Sequence, residues 1–199
     1  MPLFFEFLWD MGIHTTTWSW TSPENWNREK IEVDSLMQIA DGWLKKMLVL
    51  AQKRHVRMIH LGRKDRLPSY LVETIEYCVD ATKNNDKHIF NFAIDYGTKD
   101  EIFRAFKKIL GFKMLPSDLT QAMIEEQLDT ARQPYPSPDL LIRAGKVNRL
   151  SGFMLWQAAY AELYFTQKYF PDFEIQDLRE AIVAYGRRRR TLGGNKTVA

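Results

Sequence analysis

Apolar positions along this chain recur at two spacings, and the spacing changes from helix to strand period several times. Near the start, Phe4, Phe5, Leu8 and Trp9 share one face at helical period, and Gly12 stops the segment, so residues 4–11 read as a helix end. Residues 13–20 are rich in threonine and tryptophan (Thr15, Thr16, Thr17, Trp18, Trp20), which predicts a strand. Ser22, Pro23 and Glu24 follow as a helix start, with serine in the capping position and proline first inside. Val33, Leu36, Met37, Ala40, Leu44, Met47 and Leu48 then form a helical stripe over 33–50. A strand is predicted at 56–62, and a helix at 68–84 with Leu71, Ile75, Cys78, Val79 and Thr82 inward. Another strand is predicted at 89–96 and a helix at 100–110.

Farther along, residues 116–131 read as helical, and the proline-rich stretch 133–138 as a rigid connector. A fourth strand is expected at 140–143, a short helix at 153–159, a fifth strand at 162–166 and a closing helix at 175–190. Strands alternating with helices predict an α/β fold: a single parallel β-sheet flanked by helices on both faces. With no repeat or flexible linker to divide it, the chain reads as one domain over 1–199. Ligands of such sheets sit beyond the carboxyl ends of the strands.

Composition narrows the picture. The chain has 199 residues, of which 45% are hydrophobic and 13% aromatic, as in a globular protein. Its apolar runs are too short to span a bilayer, and the first residues lack the basic flank of a secretory signal. The single cysteine, Cys78, excludes an internal disulfide and fits a reducing cytosol, so a cytoplasmic location is expected, with at most peripheral membrane contact. The formal net charge is only +3, and the basic run is confined to Arg187, Arg188, Arg189 and Arg190. A nucleic-acid-binding protein would present a wider basic face with interleaved aromatics, so nucleic acid is not an expected partner.

The polar residues of chemical interest gather where strands end. Ser22, Asn25 and Arg28 follow the first strand, Tyr96 and Gly97 the third, and Arg143 closes the apolar run of the fourth. An arginine fork pairs bidentately with phosphate oxygens, and a hydroxyl adds a donor. Taken alone, Ser22 is equally a plain cap, Arg28 a solvated helix arginine, and Glu162 either an ion-pair partner or a magnesium ligand. The stripe over 33–50 is equally ordinary core or the wall of an apolar pocket.

Read in order, these segments resemble the cis-prenyltransferases, the undecaprenyl diphosphate synthase family. The resemblance rests on Ser22-Pro23-Glu24-Asn25-Trp26-Asn27-Arg28, on Leu140 to Arg143, on Arg149-Leu150-Ser151, and on the block from Phe153 through Glu162 to Phe173. It implies condensation of isopentenyl diphosphate with an allylic diphosphate such as farnesyl diphosphate, dependent on Mg2+, to give a Z-polyprenyl diphosphate. It also implies a homodimer, or a heterodimer with a complete synthase. By the same resemblance Ser22, Pro23, Glu24, Asn25, Trp26 and Arg28 form the second motif, whose asparagine takes part in proton removal. Arg143, Arg149, Leu150 and Ser151 would hold isopentenyl diphosphate, Glu162 would bind magnesium, and the closing Arg-rich segment through Gly194 would serve the dimer.

The pattern differs from the family's in places. Its first motif, a histidine followed by Met-Asp-Gly-Asn-x-Arg-Trp, does not occur in these 199 residues, so a first central strand is expected to be missing. Val147 stands where the family has an acid, Lys146 where it has glycine, and Thr98-Lys99 where it has Gly-Arg. The expectation is therefore a chain with little turnover alone. It would be part of an active synthase, a non-catalytic subunit, or a non-functional fragment.

Overall fold

The computed structural model describes residues 2–112 and 115–191. Their elements run α1 (Pro2–Asp10), β1 (Thr15–Ser19), α2 (Lys30–Arg54), β2 (Val56–Leu61), α3 (Ser69–Ala81), β3 (His88–Ala93), α4 (Thr98–Leu110), α5 (Gln121–Glu125), β4 (Leu140–Arg143), β5 (Glu162–Phe165) and α6 (Ile175–Gly186). Short 3-10 turns occupy Pro23–Asn27, Pro116–Asp118 and Phe170–Asp172. Every strand pairing is parallel, as the alternation predicts; helices lie in the connections among β1, β2 and β3, whereas β4 and β5 are joined by turns alone. The contacts divide the chain into two compact units, 1–133 and 134–199.

In the first unit the sheet order is β1-β3-β2. The central strand β3 is buried along nearly its whole length, which is why it reads as a largely apolar run, broken by Asn91, rather than an alternation. Phe90 and Phe92 point into the core, where α1 supplies Phe5 and Trp9, α2 supplies Met37, Leu44 and Met47, and α3 supplies Leu71 and Ile75. Phe5 meets Phe90 edge to face at a centroid distance of 4.7 Å. The stripe over 33–50 is thus core, with Ala40, Leu44 and Met47 wholly inaccessible. Cys78 lies in the same core, where burial pushes its thiol up to about 11. On the opposite face Asn91 donates to Thr17 Oγ1 and exchanges hydrogen bonds with the Gln133 amide.

The second unit holds β4 beside β5, with α6 packed on both strands through Leu178 and Ala181. The strands therefore make two ladders, of three and two strands, where one sheet was expected. Alternation of strand and helix predicts parallel strands but does not say which edges will pair. Four smaller expectations also change. Helix α2 runs well past 33–50 at both ends, because exposed pairs such as Lys30–Asp34 suit a helix as well as the apolar stripe does. It ends where His55 turns left-handed at φ 55°. The helix expected at 116–131 is only a 3-10 turn and the short α5. No helix forms at 153–159: left-handed Met154 (φ 49°) breaks the segment into turns, leaving one helical hydrogen bond from Ala158 N to Met154 O, 2.7 Å. Helix α6 stops at Gly186 rather than 190, since Arg188 and Arg190 are drawn aside to carboxylates.

Candidate functional site

At the carboxyl end of the three-stranded sheet, three connections meet around the end of β3. Trp20 N and Thr21 N reach Ala93 O, Tyr96 N reaches Thr21 O, and Arg63 N reaches Asp95 O. The approach is so close that a Cβ on Gly62 (φ 115°) would lie 2.3 Å from Ile94 O. A Cβ on Gly97 would lie 3.1 Å from Pro23 Cδ, so Pro23 and Gly97 fit as a pair.

Ser22 begins the 3-10 turn of the second motif. Its N–H donates to Asn25 Oδ1 at 2.8 Å, which fixes the carboxamide and turns its N–H2 group away from Ser22. Trp26 Nε1 donates to Asp95 Oδ1 at 2.9 Å. Arg66 grips the same carboxylate through two hydrogen bonds, of 2.9 and 2.5 Å, and stacks over the Trp26 ring at 5.6 Å. The Asp95 side chain is fully inaccessible, and its backbone is left-handed at φ 53°. A buried acid in a strained conformation at a strand end is a signature of a functional position. Glu24 and Arg28 face solvent, and Arg28 is paired with Glu32 one turn on.

Beside this cluster Asp129 accepts from Gly62 N and from both terminal nitrogens of Arg104. Asp100 accepts from Arg63 and Arg104, and buried Glu101 accepts from the Tyr96 hydroxyl and Asp129 N. Burial and the Glu101 charge push the Tyr96 hydroxyl far above its ordinary value, so it acts as a fixed donor. His60 on β2 bonds Ile94 O at 3.1 Å, and burial holds its imidazole down at about 4. Sequence reasoning passed over Asp95 and Arg66. The signal was available: Asp95 follows an apolar run directly, as Arg143 does, and such a charge must be paired.

In the second unit Arg143 ends β4. Its Nε is buried without a hydrogen-bond partner among the described residues. The loop after it is tied to the end of β5 by Gly145 N to Lys168 O (2.8 Å), Lys146 N to Thr166 O (3.4 Å) and Thr166 N to Arg143 O (3.0 Å). Gly145, Lys146, Ser151 and Gly152 all take positive φ, which coils the loop tightly and leaves Arg149 and Ser151 exposed on it, with Leu150 half-buried. Arg143, Arg149, Leu150 and Ser151 therefore lie on one strand end and the loop leaving it.

Glu162 does not join them. It starts β5 opposite Leu140, whereas Arg143 pairs with Phe165. Three residues of strand separate the two positions by about 10 Å, and the pleat sends their side chains to opposite faces. The Glu162 carboxylate accepts from Arg188 at 2.7 Å, and Arg190 bonds Asp139 at 2.8 Å. Among the described residues no group of three or more His, Cys, Asp or Glu side chains could hold a metal ion. Magnesium takes one or two carboxylates together with phosphate oxygens; here Glu162 is engaged by a guanidinium and remote from Arg143. As arranged, these residues do not fit a metal bound beside that arginine. Leu192, Gly193 and Gly194 of the closing segment lie outside the described residues.

The arrangement is that of a parallel α/β protein with arginines, hydroxyls and a carboxamide at its strand ends, a class suited to anionic ligands. The sequence profile of the prenyltransferase family described as "Putative undecaprenyl diphosphate synthase" matches residues 3–193, and the chain belongs to that family. It is 38% identical to dehydrodolichyl diphosphate synthase 3 of Arabidopsis thaliana over 194 residues, covering 96% of this chain and 64% of the relative. It is 41% identical to the isoprenyl transferase of Treponema pallidum over 175 residues, 87% of this chain and 76% of that protein. Against the Arabidopsis relative it thus spans less than two thirds of the length. Among solved structures, lavandulyl diphosphate synthase from Lavandula x intermedia, in complex with dimethylallyl diphosphate, superposes with a TM-score of 0.93 at 37% identity, over 96% of this chain and 84% of that one. A probable undecaprenyl diphosphate synthase from Campylobacter jejuni gives 0.84 at 33%, over 96% and 88%.

Proposed function

We propose that the chain is a cis-prenyltransferase component, a single domain over 1–199, acting in the condensation of isopentenyl diphosphate with an allylic diphosphate such as farnesyl diphosphate. The observation that carries this reading is Arg143, whose buried Nε has no protein partner among the described residues and so is free for an anion. In the reaction the allylic C–O bond breaks, a C–C bond forms to the isopentenyl unit, and that unit loses a proton. Arg143, Arg149 and Ser151 hold the isopentenyl diphosphate by charge and hydrogen bonds, and Leu150 lies on the loop between them. Asn25, its Oδ1 engaged by Ser22 N, keeps its N–H2 group for a diphosphate oxygen. A carboxamide is not basic, so its part in proton removal is to orient the oxygen that takes the proton. Ser22, Pro23, Glu24, Trp26 and Arg28 build the turn that carries Asn25.

The allylic side rests on the family's aspartate motif, which these 199 residues do not contain. We therefore assign them little turnover alone: whether in a homodimer or paired with a complete synthase, the working state needs that motif supplied. The synthase reading is the one proposed; the alternative, a non-catalytic subunit, has Val147 and Lys146 in the loop that follows Arg143 as its support. Magnesium dependence follows from family membership, and no step is assigned to Glu162 through it.

Incubation with farnesyl diphosphate, isopentenyl diphosphate and magnesium, followed by extraction, should give no elongated product from the chain by itself. Isopentenyl diphosphate should nevertheless bind, as read by calorimetry. Robust elongation by the lone chain would refute the division of the site, and absence of binding would refute the prenyltransferase reading.

A further inference from the structure

The turn that carries Asn25 is fastened at both ends to one residue outside it, Asp95. At the near end Asp95 N donates to Thr21 Oγ1 at 3.0 Å, and Tyr96 N donates to Thr21 O at 3.1 Å. At the far end Trp26 Nε1 donates to Asp95 Oδ1 at 2.9 Å. Thr21 is buried and the Asp95 carboxylate wholly inaccessible, so water does not compete for either fastening. Between them Pro23 lies against Gly97, two residues past Asp95.

The far fastening is made by side chains, and Arg66 completes it. Its Nε and Nη2 hold the Asp95 carboxylate at 2.9 and 2.5 Å, and its guanidinium lies over the Trp26 ring, 5.6 Å from the centre. The indole is thus held at its edge by Asp95 and on its face by Arg66. Asp95 pays for this in backbone strain: at φ 53° it is left-handed, which carries its N–H to Thr21, its C=O to Arg63 N and its carboxylate to Trp26 at once. Asn25, next to Trp26, has its Oδ1 taken by Ser22 N, so the path of the turn sets where its N–H2 group points.

We propose that Asp95 is a positioning residue of this site: through Trp26, and with Arg66 as its counter-ion, it aims the Asn25 carboxamide at the diphosphate. Asp95 and Arg66 act through Asn25 and do not touch the ligand. The inference rests on the reading of Asn25 as a diphosphate contact, and adds the two residues that direct it.

The test is a double-mutant cycle on isopentenyl diphosphate affinity, read by calorimetry on the full chain where circular dichroism shows each variant folded. Asn25→Ala should weaken binding about tenfold, the worth of one hydrogen bond to a charged oxygen. Trp26→Phe keeps a ring beneath Arg66 and leaves Asp95 paired, so the fold is retained; loss of the indole donor should weaken binding about fivefold or more. In the Asn25→Ala background the same change should cost less than about twofold, because the contact it aims is already gone. Asp95→Asn keeps an acceptor for the indole and should stay within about threefold of the parent, whereas Asp95→Ala should match Trp26→Phe. Additive losses from Asn25→Ala and Trp26→Phe would overturn the proposal, since a purely structural role or a direct contact of Trp26 would not depend on Asn25. Parent-like binding by Trp26→Phe or by Asn25→Ala would also overturn it, while leaving the prenyltransferase reading in place. A parent that binds no isopentenyl diphosphate would overturn that reading and the positioning role together.

Discussion

Two charged residues at strand ends, Arg143 and Asp95, differ in how they are satisfied, and the difference sets what each does. Asp95 is saturated by Arg66 and Trp26, so it holds the second-motif turn in place. Asp95→Ala leaves the indole N–H and a guanidinium without their acceptor and should cost about 3 kcal/mol in urea unfolding. Asp95→Asn keeps the indole bond and tolerates positive φ, so its cost should be about half or less. Equal losses for the two would argue that charge, not the bond to Trp26, holds the turn. Arg143 instead has unspent capacity. Under the proposed function, Arg143→Lys should weaken isopentenyl diphosphate binding on the order of tenfold by calorimetry, because lysine keeps the charge but not the fork. Unchanged affinity would remove Arg143 from the site.

At the scale of elements, close backbone approach and strand register decide more than propensity. Gly62→Ala must either push β2 from β3 or tilt the turn, because the new Cβ would fall 2.3 Å from Ile94 O. A loss of about 3 kcal/mol or more is expected from chemical denaturation. Register also separates Glu162 from Arg143 and gives it to Arg188. Glu162→Gln should therefore leave isopentenyl diphosphate affinity without metal within about twofold, and lower stability by about 1 kcal/mol or less, as for a partly exposed pair. A large loss of affinity would return Glu162 to the diphosphate site.

Across the whole molecule, buried ionisable groups tie stability to pH. His60 has its folded pKa depressed to about 4 from an ordinary 6.5. The unfolded chain thus binds more protons between those values, and stability is fully present above 6.5 and lost as pH falls toward 4. The contribution is on the order of 3 kcal/mol. His60→Gln should flatten the acid limb of the stability profile by that amount, and an unaltered limb would show that the carboxylates alone set it. The same scale bears on membrane contact. No helix among the described residues is long and apolar enough to cross a membrane.

Element types and their order were legible in the sequence because period two and period 3.6 follow from backbone geometry alone. Parallel pairing, the buried stripe of α2 and the arginine at the end of β4 followed from that pattern, and the motif order named the family. Helix 153–159 failed because composition does not reveal that Met154 turns left-handed. What the tertiary structure alone decided is which polar groups meet. It paired Asp95 with Arg66 and Trp26, gave Glu162 to Arg188, and left Arg143 Nε without a protein partner among the described residues. Those outcomes depend on strand register and on left-handed turns between distant segments. Neither is written in any local run of residues, so the motifs between Leu140 and Phe173 name the family, while the fold splits Arg143 from Glu162.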